Sequence, residues 1–478
     1  MARKASKKLN ETIPDSCEMT RRRVKNFLNN EVRQYATYVL ETRTMPSIMD
    51  GQLVGARKIL WAAMVGDLSK KNKVKMPAIL GDTMKLEYAH GDASLANTTV
   101  NLCCVHRNKY SPLEAIGQIP SLRVPKCDTA VRYLSIRKSQ YLEMFKYDKE
   151  LLEIKVEEGE KIEPKFFLPI VPMQLLIRTS SPGYGFAYKS QSYKLEDIID
   201  NVIQAIYKGT CVDNEDSVPL RPEIVGVKDE NIIYNANKNR WYNVGEYTLD
   251  FNNDLLTIND LPYDVSFEQI EETLQTLKDK YIITDWSNRS EKEKIKYFAK
   301  FPRGRLEIIY NNNPWVFFKT FKLISAIRED ILSYMDEDGK TLLFFDNAYQ
   351  LIDAFVKKRL TYYDKRKTLT IKKLEELLID YKIKINFIRL VVDGKLIVFK
   401  RKRSDIKKDL DKYNIPDYVL DMRMYNLTEE EIIKLENKII ETEQQLEYIK
   451  KTTIQEMYLD DIIKLREKII GITDKTTI

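Results

Sequence analysis

The chain has 478 residues, 43% of them hydrophobic and 31% charged, which suits roughly two to four globular domains and rules out a disordered chain. Its net charge of +7 is a mild basic excess, compatible with a nucleic-acid partner and concentrated in residues 1–60. With only two histidines, His90 and His106, and five cysteines that lack metal-ligand spacing, Ser-His-Asp chemistry and histidine-rich metal centres are nearly excluded.

The odd cysteine number points to free thiols in a reducing, intracellular compartment. No apolar stretch follows the basic start MARKASKK, and no uncharged run approaches the ~20 residues of a membrane span. Residues 1–28 read as a basic arm suited to phosphate contacts or simply to solvent. Residues 29–42 have helical spacing, with Val32, Tyr35, Ala36, Val39 and Leu40 on one face. Pro46 and Asp50-Gly51 mark a turn, after which Arg57-Lys58 opens an apolar helix through Ile59 and Met64. Two helices with cations at their junction fit a DNA-reading helix-turn-helix or a generic helical hairpin.

His90-Gly91-Asp92 is a second turn, and Asp92 or Ser94 can cap a helix through Leu95, Val100 and Leu102. A helix start with a histidine and a hydroxyl beside it suits an anion or a structural cap. Residues 115–131 read as loop, broken by Gly117, Pro120 and Pro125 and made basic by Arg123 and Lys126. This loop delivers Arg132-Tyr133. A phenol, with its pKa of ~10, is a poor nucleophile at neutral pH. An adjacent guanidinium stabilises both the phenolate and a phosphate under attack. Most of the 28 tyrosines are packing residues, so the dipeptide alone does not assign the role.

Residues 164–345 mix short strands with turns: LTINDLP (256–262) and GRLEIIY (304–310) read as strands, and 267–281 as an amphipathic helix. A long helix starts at Asn347 with Leu374, Leu377, Leu378, Tyr381, Ile385 and Ile388 along its seam, and Asp393-Gly394 ends it. A second helix carries Ile432, Leu435, Ile439, Leu446 and Ile449 and is expected to pair antiparallel, with residues 394–430 at the tip.

The ordered set Arg43, Pro46, Asp50-Gly51, Arg57-Lys58, His90-Gly91-Asp92, Gly117-Gln118 and Arg132-Tyr133 resembles the breakage-reunion subunit of type IIA DNA topoisomerases. The resemblance continues through 166–187, 355–367 and 421–431, and the layout is similar to that of T4-type phage medium subunits, without a DNA-wrapping C-terminal domain. Four places depart from the pattern. Leu53 stands where the family has a lysine, Ile119-Pro120-Ser121 replaces a glycine-rich run, Ile177 through Pro182 stand in its Asn-Gly-Ser-x-Gly-Ile turn, and Ala93 and Asn97 follow the His-Gly turn.

The resemblance implies a multidomain α+β chain: a basic arm (1–28), a winged-helix cleavage domain (29–160), an α+β tower (161–345), and a coiled coil with a helical dimer gate (346–470). Tyr133 would be the nucleophile and Arg132 the stabiliser of phosphorane charge. Arg43, Arg57, Lys58, His90, Ser94, Arg123 and Lys126 would contact DNA, and Pro182 would occupy the position of the intercalating wedge. The implied activity is ATP-dependent: a transient 5′-phosphotyrosyl double-strand break through which a second duplex passes. No GxxxxGK[ST] loop or acidic metal cluster is read in the chain, so ATP and Mg²⁺ are expected on a partner ATPase/Toprim subunit, with the chain itself a homodimer on double-stranded DNA. The competing reading is a catalytically silent DNA-binding or scaffolding protein on the same fold.

Overall fold

A computed structural model describes residues 24–66, 68, 72–88, 90–125, 129–145, 147–183, 187–211, 218–291, 294–329, 332–398, 401–423 and 427–476. Most of the basic arm, Lys126 and residues 184–186 therefore lie outside the described residues. The architecture is α+β.

Helical turns run from α1 (Val24–Phe27) through α2 (Arg33–Val39) to a π-helical turn at Leu40–Thr44. Of the expected apolar face only Val39 is buried, and Tyr35 is exposed. Next come α3 (Val54–Val65), β1 (Val74–Lys75), α4 (Met76–Met84), α5 (Asp92–Cys103), β2 (Leu113–Ile116) and β3 (Ser135–Lys138). The three strands form an antiparallel sheet in the order β1-β3-β2, which pairs Ala115 with Ile136 and Val74 with Ile136. Gly91, not Asp92 or Ser94, occupies the N-cap position of α5, and no side-chain cap bond forms there.

Two hairpins follow, β4 (Ile154–Glu157) with β5 (Glu160–Pro164) and β6 (Ser180–Pro182) with β7 (Ala187–Lys189), and then α6 (Leu195–Lys208). The largest core gathers Ile48, Ile59 and Leu95 with Phe167, Leu175 and Ile198, so it runs across residue 160 without a break. Phe355 and Ile462 join it from the C-terminal helices.

A separate core lies under a four-stranded antiparallel sheet built from β10 (Tyr247–Asp250), β11 (Leu255–Ile258), β12 (Asp285–Asn288) and β13 (Tyr297–Lys300). Leu256, Ile258, Tyr297 and Ala299 point inward onto α7 (Phe267–Asp279), α8 (Arg305–Asn312) and α9 (Pro314–Thr320), as the two-residue strand period requires. Ser266 and Gln269 form a reciprocal capping box at the start of α7. The GRLEIIY segment is helix α8, not a strand. Asp254 accepts the amides of Gly304 at 2.7 Å and Leu306 at 3.3 Å, a cap supplied from fifty residues away in sequence. β8 (Ile232–Asn235), β9 (Arg240–Val244) and β14 (Ile324–Ala326) form a further sheet, and β15 (Leu332–Met335) pairs with β16 (Leu342–Phe345).

The long helix α10 (Ala348–Val392) starts where the sequence places it, with the Asn347 side chain accepting the Gln350 amide at 3.0 Å. It ends at Asp393, followed by Gly394 with φ +71°. α11 (Arg403–Lys412) sits at the far end, and α12 (Glu429–Lys451) returns antiparallel. The ion pairs Arg389–Glu436, Lys382–Glu443 and Glu375–Lys450 step seven residues forward on α12 for every seven back on α10. Leu378 and Ile385 are buried in this seam, while Leu377, expected there, is 43% exposed. On α12 the inward positions are Ile432, Leu435, Ile439, Thr442, Leu446 and Ile449, an alternation of three and four residues. The tip has its own core of Ile388, Leu396, Ile406, Leu410, Ile415, Val419 and Leu435. A last helix, α13 (Ile454–Thr476), turns back onto the main core, where Tyr458 donates to the Ile170 carbonyl at 2.7 Å and stacks on Tyr363.

Candidate active site

Tyr133 ends a single 3₁₀ turn, Val131–Tyr133, directly before β3. The turn is fixed from both sides. Leu134 is buried and its carbonyl accepts the Met76 amide at 3.1 Å, while the Tyr133 amide donates to the Ala130 carbonyl at 3.0 Å. Gly117, with φ +131°, lets β2 pass close by, since a Cβ there would lie 2.8 Å from Leu134 Cδ2. The tyrosine itself is 64% exposed, and the Arg132 guanidinium carbon sits 5.0 Å from its ring centroid. The phenol is thus presented to solvent on a braced backbone, with a cation on its face.

An open cavity of about 740 Å³ brings together Arg43, His90, Ser94 and Pro182, with Tyr35, Leu53 and Tyr88 also in its wall. Neither Arg132 nor Tyr133 lines it. Arg43 lies 6.0 Å from the Tyr38 centroid and has no ion-pair partner among the described residues. His90 meets Tyr88 edge to face at 5.4 Å. Ser94 is exposed in the first turn of α5. Pro182 closes β6 and is exposed. Its carbonyl accepts the Thr44 hydroxyl at 3.1 Å, and Ser181 Oγ donates to the Thr44 carbonyl at 2.7 Å. The residue after Arg43 therefore clamps the β6 turn, so Arg43 and Pro182 are held on the same cavity.

Sequence comparison decides what this arrangement belongs to. Residues 43–466 match the family model of the DNA gyrase/topoisomerase IV A subunit. The chain belongs to this family. It is 28% identical to the DNA topoisomerase 2 of Plasmodium falciparum over 93% of its own length, and spans 34% of that relative. It is 26% identical to the DNA topoisomerase medium subunit of Enterobacteria phage T4, covering 94% of this chain and 100% of that relative. Among solved structures it resembles the Plasmodium falciparum topoisomerase II DNA-binding, cleavage and re-ligation domain, with a TM-score of 0.78, 26% identity, and coverage of 94% of this chain and 65% of the other.

Three of the cations expected on DNA have other work in this member of the family. Arg57 is 3% exposed, and its Nε and Nη2 donate to the Asp50 carboxylate at 2.7 and 2.9 Å. Burial opposes its charge, yet Asp50 and Glu163 hold the Arg57 pKa above the ordinary value. Lys58 is 4% exposed and bonds Glu163 at 2.7 Å as well as the Leu86 carbonyl. Despite its burial, Glu163 is held below the usual carboxylate range by Lys58 and Lys155. Arg57 and Lys58 are thus internal ion-pair partners: burial of an apolar helix start carried its charges inward, where each required a carboxylate. Arg123 is likewise committed, its side chain 13% exposed and bonded to residues 260–265.

Sequence reasoning missed Asp50 as the organiser of this region. Its Oδ1 accepts the Gln52 amide at 3.0 Å and its Oδ2 accepts the Phe167 amide at 2.9 Å, besides both Arg57 bonds. The available signal was the Asp-Gly pair with an arginine seven residues on, which reads as a turn until Phe167 is brought beside it. Gly51, at φ +64°, leaves no room for a Cβ, which would lie 2.6 Å from the Gln174 backbone. Among the described residues no three His, Cys, Asp or Glu side chains group as a metal-holding set. Among them, no helix is long and apolar enough to cross a membrane.

Proposed function

We propose that the chain is the DNA cleavage and religation part of an ATP-dependent type IIA topoisomerase, with Tyr133 as nucleophile. The observation that carries this reading is the exposed Tyr133 on its braced turn beside Arg132, in a chain matched along residues 43–466 by the family model. Tyr133 Oη bonds to phosphorus, the P–O3′ bond breaks, and the 3′-oxygen leaves with a proton. The phosphate stays esterified to the tyrosine at the 5′ end, so attack by the 3′-hydroxyl reverses the step. Arg132 neutralises charge on the pentacovalent phosphorane. Arg43 contacts the backbone, His90 and Ser94 lie against the scissile region, and Pro182 enters the base stack. A bound duplex bridges Tyr133 and the cavity.

The finer architecture follows the same reading. Residues 29–160, with the three-stranded sheet, form a winged-helix cleavage domain whose core continues through Phe166–Cys211, the four-stranded-sheet unit within 161–345 is the tower, and 346–470 form an antiparallel coiled coil whose tip is a homodimer gate. The seven-residue steps between α10 and α12 support the coiled coil. Mg²⁺ and ATP belong to a partner ATPase/Toprim subunit, and the assembly works on DNA inside the cell.

The test uses Tyr133→Phe with the partner subunit, Mg²⁺ and duplex DNA, quenched with detergent. The variant binds duplex as wild type does, because only a hydroxyl is lost, and yields no protein-linked DNA. Adduct at the wild-type level in the variant removes Tyr133 from the role. No adduct from the wild type favours the silent DNA-binding alternative.

A further inference from the structure

Arg123 forms a four-point clamp on one short stretch of chain. Its Nη1 donates to the carbonyls of Pro262 at 2.6 Å and Val265 at 3.3 Å. Its Nη2 donates to Asp260 Oδ1 at 2.7 Å and the Leu261 carbonyl at 2.6 Å. In return the Arg123 carbonyl accepts the Phe267 amide at 3.4 Å. Leu122 packs beside the clamp on the cluster of Ile224, Ile232, Tyr263 and Ile327. Ser121 and Val124 close a turn around the pair, with the Ser121 amide on the Val124 carbonyl at 3.0 Å and the Val124 amide on Ser121 Oγ at 3.2 Å.

The clamp joins two units that have separate cores. Residues 260–267 lead into α7 and belong to the unit of the four-stranded sheet. Residues 117–125 lead toward Tyr133, whose neighbour Leu134 is anchored in the main core. The forked, planar guanidinium suits this task because it spans several carbonyls in one plane, which an ammonium does not. The clamp also falls where the sequence has Ile119-Pro120-Ser121 in place of a flexible glycine-rich run.

We propose that Arg123 is a positioning residue: it fastens residues 117–125, which lead toward the nucleophile, to the four-stranded-sheet unit, so that Tyr133 is held in a fixed position relative to that unit. Arg123 touches neither the reacting atoms nor the phosphate. The inference rests on Tyr133 being the nucleophile, but the clamp itself does not.

The test compares wild type, Arg123→Lys and Arg123→Ala in the full chain. Amide hydrogen exchange reports the clamp without reference to catalysis: in Arg123→Ala, residues 117–125 and 260–267 exchange at least about ten-fold faster while the remaining core is unchanged. With partner subunit, Mg²⁺ and duplex, cleavage and religation rates per folded molecule both fall about ten-fold in Arg123→Ala and by less in Arg123→Lys. Duplex affinity stays within about two-fold and its salt slope is unaltered. Unchanged exchange in residues 117–125 overturns the clamp. Unchanged rates per folded molecule reduce Arg123 to a structural bond and overturn the positioning role. A salt slope lowered by about 0.9 makes Arg123 a phosphate contact and overturns it too. Absence of adduct from the wild type would instead strike at the nucleophile assignment, while the exchange result still judges the clamp.

Discussion

Replacing Asp50 with asparagine is the sharpest test of the buried Asp50–Arg57 pair. The two shapes are nearly the same, so packing is preserved. The hydrogen bonding is not. Oδ1 accepts from the Gln52 amide and Arg57 Nη2, and Oδ2 accepts from the Phe167 amide and Arg57 Nε. Whichever way the carboxamide turns, its NH₂ faces two N–H donors. The Arg57 charge, in a side chain 4% exposed, also loses its counter-charge. Breaking a buried pair from one side costs about 3–5 kcal/mol. At about 1.4 kcal/mol per factor of ten, that lowers the folding constant of this unit by roughly two to three and a half powers of ten. Urea unfolding of Asp50→Asn, Arg57→Met and the double variant measures it. The double variant is less damaged than the two singles together, because it leaves no buried charge alone. Duplex affinity per folded molecule keeps its salt slope in Arg57→Met, since Arg57 meets no phosphate. A cost below about 1 kcal/mol for Asp50→Asn, or singles that add within about 0.5 kcal/mol, refutes the reasoning.

Two further outcomes can be checked. Burial first, then Arg107 and Arg178, lowers the His106 pKa to about 4. The unfolded value is ~6.5, so between the two the unfolded chain binds more protons, and stability falls as pH drops through that window. His106→Gln flattens the urea-unfolding profile across that window; equal slopes in wild type and variant disprove it. Pro182→Gly keeps affinity for short linear duplex within about two-fold but reduces DNA bending and cleavage, because the wedge must offset a few kcal/mol of unstacking. Equal bending by fluorescence in both proteins removes Pro182 from the wedge position.

Local signals in the sequence reached far along this chain. Asn347 and Asp393-Gly394 bound α10 because a cap and a left-handed glycine are decided by neighbours within one turn. The amphipathic run at 267–281 became α7 for the same reason, and its Ser266–Gln269 box is local too. The motif order from Arg43 to Tyr133 was enough to point to the family, since it depends on residue identity and spacing alone.

Tertiary structure decided what depends on partners distant in sequence. GRLEIIY is strand-like by composition, but Asp254 caps it as a helix across fifty residues. Arg57, Lys58 and Arg123 read as free cations until Asp50, Glu163 and Asp260 are brought against them. Arg43, by contrast, stayed at the cavity, because the Thr44–Pro182 clamp turns its neighbour inward and leaves Arg43 in the cavity wall. A lone charge in a sequence carries no information about its counter-ion. Only the fold brings the two together, because a buried charge is tolerated only where the packed chain supplies an opposite one.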